Sequence, residues 1–125
     1  MAEEERKATM GVTPLNLFQD IPEHLPSELI DQLVTAPSVR VERIVSRGQN
    51  SPTGFWYDQD EHEWVAVLAG KAQLQIEGLE QLVTLNPGDT YQITAHTKHR
   101  VAWTEPDHNT IWLAVFWKDS LSRCL

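Results

Sequence analysis

Apolar and polar positions alternate with a period of two from residue 38 to residue 117 of this chain. "SVRVERIVS" (38–46) is β-branched and alternating, the pattern of a strand. "RGQNSPTG" follows as a loop of turn formers, and "FWYDQ" (55–59) reads as a short aromatic strand. "EWVAVLAG" and "KAQLQIEG" are two strands joined at Gly70–Lys71. In the second, Ala72, Leu74 and Ile76 share one face while Gln73, Gln75 and Glu77 share the other. "QLVTL" ends in the turn "NPGD". "TYQIT", "HRVAWT", the turn "EPDHN" and "TIWLAVFW" complete the series. Many short strands with closely spaced turns predict an all-β sandwich or barrel.

The first 37 residues follow another pattern. Residues 1–12 are charged and aperiodic, as a disordered tail would be. "TPLNLFQDIPEHLP" (13–26) carries three prolines and scattered apolar residues, as expected of an irregular arm crossing a core. In "SELIDQLV" (27–34), Leu29, Ile30, Leu33 and Val34 share a helical face. The pattern predicts a short N-terminal helix capped by Ser27 and stopped by Pro37. The chain thus divides into a tail (1–12), an arm and helix (13–37), a barrel (38–117) and a C-terminal tail (118–125).

The chain's 125 residues suit one domain with its own core. Eighteen acids against ten bases give a net charge of −8. That balance argues against nucleic-acid binding, which needs a basic patch, and against docking on anionic membranes. No apolar run approaches the roughly 20 residues of a membrane span, and the acidic start lacks the apolar core of a secretory signal. The single cysteine, Cys124, cannot form an internal disulfide. The cytoplasm is the expected location.

Two segments carry chemistry. In "HTKHRVAWT", alternation places His99, Val101 and Trp103 on one face and Arg100, Ala102 and Thr104 on the other. Arg100 belongs with solvent, so His99 should point inward, either to bind a metal or to sit hydrogen-bonded in the core. In "FWYDQDEHEWVAVLAG", Glu63 shares a face with Val65 and Val67, and His62 goes with Trp64, Ala66 and Leu68. A carboxylate inside a barrel is costly unless paired or on a metal. There is no phosphate-cradling glycine loop, no cysteine–histidine zinc pattern and no nucleophile with a recognisable base.

Taken together, Glu63, six residues and Gly70, then Gly88–Asp89 and His99 after the next turn, resemble the two motifs of the cupin superfamily. The likeness is to its small single-domain members and covers residues 38–117, with a degenerate first motif. It implies an antiparallel jelly-roll barrel, Glu63 and His99 as metal ligands, and a homodimer. The histidine pair that precedes the glutamate in most metal-binding cupins is missing. Those two positions fall on Trp56 and Asp58 with a four-residue gap, or on Tyr57 and Gln59 with a three-residue gap. Thr94, His96 and Trp103 stand where the second motif usually has proline, glycine and asparagine. Asp58, Glu63 and His99 are the expected ligands of a divalent Fe, Mn, Zn or Ni ion, with His62 or His96 as substitutes if the register shifts. Asp60 and Glu61 are expected in the solvated turn between strands.

Five tryptophans are many for this length. Most belong in the core, but Trp56 and Trp103, with Tyr91, are candidates to wall a pocket for a small-molecule ligand. Two functions follow: a metal-dependent oxygenase, isomerase or lyase, or a metal-free barrel that binds a small ligand or serves as a structural dimer module. The arm at 13–26 and the strand at 38–46 are candidates to cover a neighbour's sheet edge in the homodimer.

Overall fold

A computed structural model describes residues 4–7 and 14–119. The tail expected over 1–12 and the one over 118–125 fall mostly outside this range. The described strands are β1 (Glu4–Lys7), β2 (Leu29–Ala36), β3 (Val39–Ser46), β4 (His62–Ala69), β5 (Ala72–Ile76), β6 (Val83–Leu85), β7 (Thr90–Ile93), β8 (His99–Thr104) and β9 (Thr110–Trp117). One sheet has the order β1-β2-β3-β9-β4-β7 and the other β6-β5-β8. All pairings are antiparallel except β1 with β2. The predicted all-β jelly roll is the fold observed.

Alternation along each strand builds the core. Val65 and Val67 of β4, Leu74 and Ile76 of β5, and Trp112, Ala114 and Phe116 of β9 meet between the two sheets. Burying such side chains stabilises the fold by about 1.5–3 kcal/mol each. The opposite face of the large sheet carries Leu29, Val45 and Ile111, covered by Ile21 and Leu25 of the arm.

A buried ion pair ties the arm down. Arg43 of β3 donates from Nε to Asp31 Oδ2 of β2 at 2.7 Å. Its Nη1 reaches the carbonyls of Leu17 at 3.1 Å and Gln19 at 2.6 Å. The irregular arm is therefore as expected, but it lies on its own sheet. β3 likewise sits inside the sheet, between β2 and β9.

The predicted helix over 27–34 is instead the strand β2, hydrogen-bonded along β3. Its apolar spacing imitates a helix because a bulge between Gln32 and Val34 breaks the alternation at Leu33. Pro37 does not stop a helix; with Ser38 it forms the hairpin turn that links Ala36 to its partner Val39. Pairing with β3 overrides a weak local helix preference.

Between β4 and β5 the chain leaves one sheet for the other at Gly70, whose φ is +80°. A Cβ there would lie 2.4 Å from Thr110 Oγ1 and 2.5 Å from Thr110 Cα. The glycine that closes the first motif is thus required by a strand passing against it. Replacing it by alanine combines left-handed strain with overpacking, a loss of at least about 2 kcal/mol. Asp31→Ala strands the buried guanidinium of Arg43 and should cost about 3–5 kcal/mol. Urea unfolding of Gly70→Ala and Asp31→Ala beside an exposed control, Gln92→Ala, checks both values.

Candidate functional site

The packing between the sheets leaves a cavity of about 230 Å³. Tyr57, Gln59, Glu63 and His99 meet in its wall. Glu63 stands on the inward face of β4, in register with Phe116 of β9 and Ile93 of β7. His99 opens β8 opposite Ile76 and is only 4% exposed. The segment before β4 runs beside β8: the Tyr57 amide donates to the His99 carbonyl at 2.8 Å, and the His99 amide to the Tyr57 carbonyl at 3.1 Å. Tyr57 and Gln59 line the cavity and Asp58 between them does not.

The polar contacts are directional. His99 Nε2 lies 3.3 Å from Glu63 Oε1, across the gap between the sheets. Gln59 Nε2 donates to the same oxygen at 3.1 Å. His99 Nδ1 donates to the Thr97 carbonyl at 2.9 Å, which fixes the ring. Tyr57 stacks on His99 with centroids 5.5 Å apart, and Phe55 packs edge-on against Tyr57 at 4.8 Å. Burial opposes a charge on His99. The hydrogen bond to Glu63, the Thr97 carbonyl and the charge of Glu63 outweigh it, so the imidazole pKa is raised.

A second polar group lines the same cavity. Arg40 and Glu42 of β3 share a face with Ile44, and Glu28 lies just before β2. Arg40 Nη2 and Nε donate to the two oxygens of Glu61 at 2.8 and 3.3 Å, and Nη1 donates to Glu42 at 2.5 Å. The guanidinium carbon lies 3.9 Å from the Phe116 ring centroid, a cation–π contact. Burial opposes its charge, but Glu61 and Glu42 outweigh that and raise its pKa.

Of the expected ligands, Glu63 and His99 come together and Asp58 does not join them. Asp58 Oδ1 faces His96 Nδ1 at 3.1 Å, with both side chains well exposed. The three-residue spacing, with Tyr57 and Gln59 inward, is the one the chain adopts. His62 is occupied elsewhere: Nδ1 accepts from the Ala95 amide at 3.0 Å and Nε2 contacts Asp119 at 3.0 Å. His96 sits at φ 63°, which explains why its position favours glycine. Asp60 is exposed beside Lys118, whereas Glu61, expected in water, holds Arg40.

The expected pocket walls also differ. Trp56 and Tyr91 are half-buried and absent from the cavity wall; Tyr91 packs against the core beside it. Trp103 lies on the face away from His99. A bulge passes over Ala102, so Leu74 pairs with Val101 while Gln73 pairs with Trp103. The inward place next along β8 goes to Thr104, which is buried opposite Ala72. Arg40, Glu42 and Glu28 were not anticipated. For Arg40 and Glu42 the signal was available in "VRVERIV", where both faces of a strand carry charges among β-branched residues.

This donor set does not fit a firmly held divalent ion. Glu63 and His99 are two strong donors, where a protein site supplies three or four. Among the described residues no group of three or more His, Cys, Asp or Glu could hold a metal.

A two-sheet jelly roll with a polar group inside the barrel defines the class of the protein. The cupin-domain family model matches residues 44–116, and the chain belongs to the cupin family. No curated protein matches its sequence. Among solved structures, a protein from Ralstonia eutropha JMP134 provisionally named a mannose-6-phosphate isomerase is 42% identical, with 86% of this chain and 100% of that chain covered and a TM-score of 0.83. A cupin superfamily protein from Desulfitobacterium hafniense DCB-2 is 17% identical over 79% of this chain and 84% of that one, with a TM-score of 0.65. A Streptococcus pyogenes protein of unknown function is 18% identical, with 90% and 92% covered and a TM-score of 0.70. The last two share the fold.

The His99–Glu63 contact carries a pH signature. A raised folded-state pKa contributes stability that is complete below the unfolded value of about 6.5 and is lost as pH rises through the folded value. The melting temperature of the wild type should therefore fall, relative to Glu63→Gln, as pH rises above about 6.5. Parallel thermal melts across that range, with NMR titration of the His99 ring, measure it.

Proposed function

We propose that this cupin is an enzyme that moves a proton within a small hydroxy-carbonyl metabolite, the chemistry of an isomerase. The observation that carries this reading is the buried carboxylate–imidazole pair of Glu63 and His99, 3.3 Å apart in the wall of a cavity. Such a pair supplies a base and an acid side by side. The Glu63 carboxylate takes the proton from the carbon next to the carbonyl, and the His99 imidazolium protonates the carbonyl oxygen. The resulting enediol then accepts the first proton at the neighbouring carbon. The other hydroxyl returns its proton to His99 and becomes the new carbonyl. The isomerase name given to the Ralstonia eutropha protein supports the same reaction class.

The roles of the neighbours follow. The Thr97 carbonyl orients His99, the Gln59 amide orients Glu63, and Tyr57 covers the imidazole face. The apolar walls of Ile30, Val65, Ile93 and Val101 keep water from the reacting carbon.

A second reading is favoured by the Thr97 hydrogen bond. It leaves Nε2 facing Glu63, the orientation of metal-bound imidazoles, so that Glu63 and His99, with the Gln59 amide turned to offer its oxygen, would hold a weakly bound divalent ion. The test is deuterium uptake from heavy water into small aldoses, ketoses and hydroxyketones, after exhaustive chelation. Uptake should survive chelation and fall about 10²-fold or more in Glu63→Gln and His99→Asn, with both variants still folded. Uptake that requires an added metal ion would replace the first reading by the second.

A further inference from the structure

Each charged group in the cavity wall is already engaged with a neighbour. Arg40 donates to the two oxygens of Glu61 at 3.3 and 2.8 Å and to Glu42 at 2.5 Å. Glu63 Oε1 faces His99 Nε2 at 3.3 Å and accepts from Gln59 Nε2 at 3.1 Å. The other nitrogen of His99 is on the Thr97 carbonyl at 2.9 Å. Glu28 accepts from Ser46 Oγ at 2.8 Å, and neither Glu28 nor Glu42 is free for a ligand. An ammonium group entering here would have to take a carboxylate from its present partner. A phosphate would have to part Arg40 from its carboxylates, with Glu28 and Glu63 also in the wall. Either exchange strips a paired group of its partner in the interior, where an unmatched charge is costly.

We infer that the ligand of this cavity is a small uncharged polyhydroxy compound, a free sugar or hydroxyketone that bears neither phosphate nor amine. This rests on the proposed use of the cavity as the reaction site and narrows its substrate class. Hydroxyl and carbonyl oxygens join ion pairs without breaking them. A guanidinium has five N–H bonds, and the contacts of Arg40 with Glu42 and Glu61 use three. A carboxylate oxygen accepts more than one hydrogen bond, so a ligand hydroxyl can donate to Glu63 while its contact with His99 persists. Hydrogen bonds between a neutral hydroxyl and a charged group are also the stronger kind. Arg40 and Glu63 are the cross-strand neighbours of Phe116 on either side, which spaces two such polar points across one aromatic ring. The volume, about 230 Å³, lies below the roughly 300–1,000 Å³ of drug-sized pockets, which limits the ligand to a small molecule. The net charge of −8 further disfavours a phosphate ester.

Two matched trios of polyols, which have no carbonyl to react, test the inference by calorimetry at pH 7: glycerol, glycerol 3-phosphate and serinol, then glucitol, glucitol 6-phosphate and 1-amino-1-deoxyglucitol. In at least one trio the neutral polyol should bind, about tenfold or more tighter than both charged members. Two variants should move the preference in opposite directions. Glu61→Gln takes a carboxylate from Arg40 and should strengthen binding of the phosphate ester about tenfold. Arg40→Gln leaves Glu42 and Glu61 without their cation and should strengthen binding of the amine by a similar factor. Far-ultraviolet circular dichroism confirms that each variant is folded. Tightest binding of a charged member by the wild type, no binding of either neutral polyol, or an unchanged preference in a folded variant would overturn the inference. If neither variant folds, the wild-type order decides alone. Binding of a neutral polyol without deuterium uptake into sugars would remove the catalytic reading alone. Uptake into phosphate esters in preference to free sugars would remove this one alone.

Discussion

The contact between Glu63 and His99 bridges the two sheets, and the geometry of the barrel interior turns on it. A carboxylate and an imidazole removed from water lose much of their hydration, and each compensates the other only at close range. The large sheet must therefore present β4 with Glu63 inward, and the small sheet must present β8 with His99 inward. Gly70 lets the chain cross from one sheet to the other without a side chain between β4 and β9. The segment 57–59 closes the remaining side by pairing with His99 through backbone hydrogen bonds.

The same pairing decides the composition of the cavity wall. Because Tyr57 is held opposite His99, Tyr57 and Gln59 turn inward and Asp58 turns to His96. The inward row of the large sheet runs Arg40, Phe116, Glu63 and Ile93 across adjacent strands. Arg40 and Glu63 thus flank Phe116. Glu61 and Glu42 secure the guanidinium over that ring, which places a claimed cation and a paired acid in one layer. The barrel interior is polar along this row and apolar in the row that holds Val67 and Trp112.

Much of this was legible in the sequence. Strict alternation in "KAQLQIEG" predicts the inward face of β5, and alternation around Glu63 and His99 places both inside. What escaped did so where a bulge interrupts the period. One extra residue at Ala102 sends Trp103 outward and Thr104 inward. Another at Leu33 makes a strand look helical. The choice between Asp58 and its two neighbours depended on whether three or four residues precede Glu63. Hydrogen bonds to β8 decide that, and no local propensity encodes it. Arg40 and Glu61 are 21 residues apart, so their pairing emerges only when β3 and the start of β4 are brought together.

On the outer face of the large sheet, Arg43 grips the arm through the main-chain carbonyls of Leu17, Gln19 and Asp20. A grip on the backbone is indifferent to which side chains the gripped residues bear. The exterior of the arm, where Leu15 and Phe18 are exposed, is therefore a surface the fold can rewrite freely. New side chains there leave both the anchor and the chemistry on the far side of the sheet as they were.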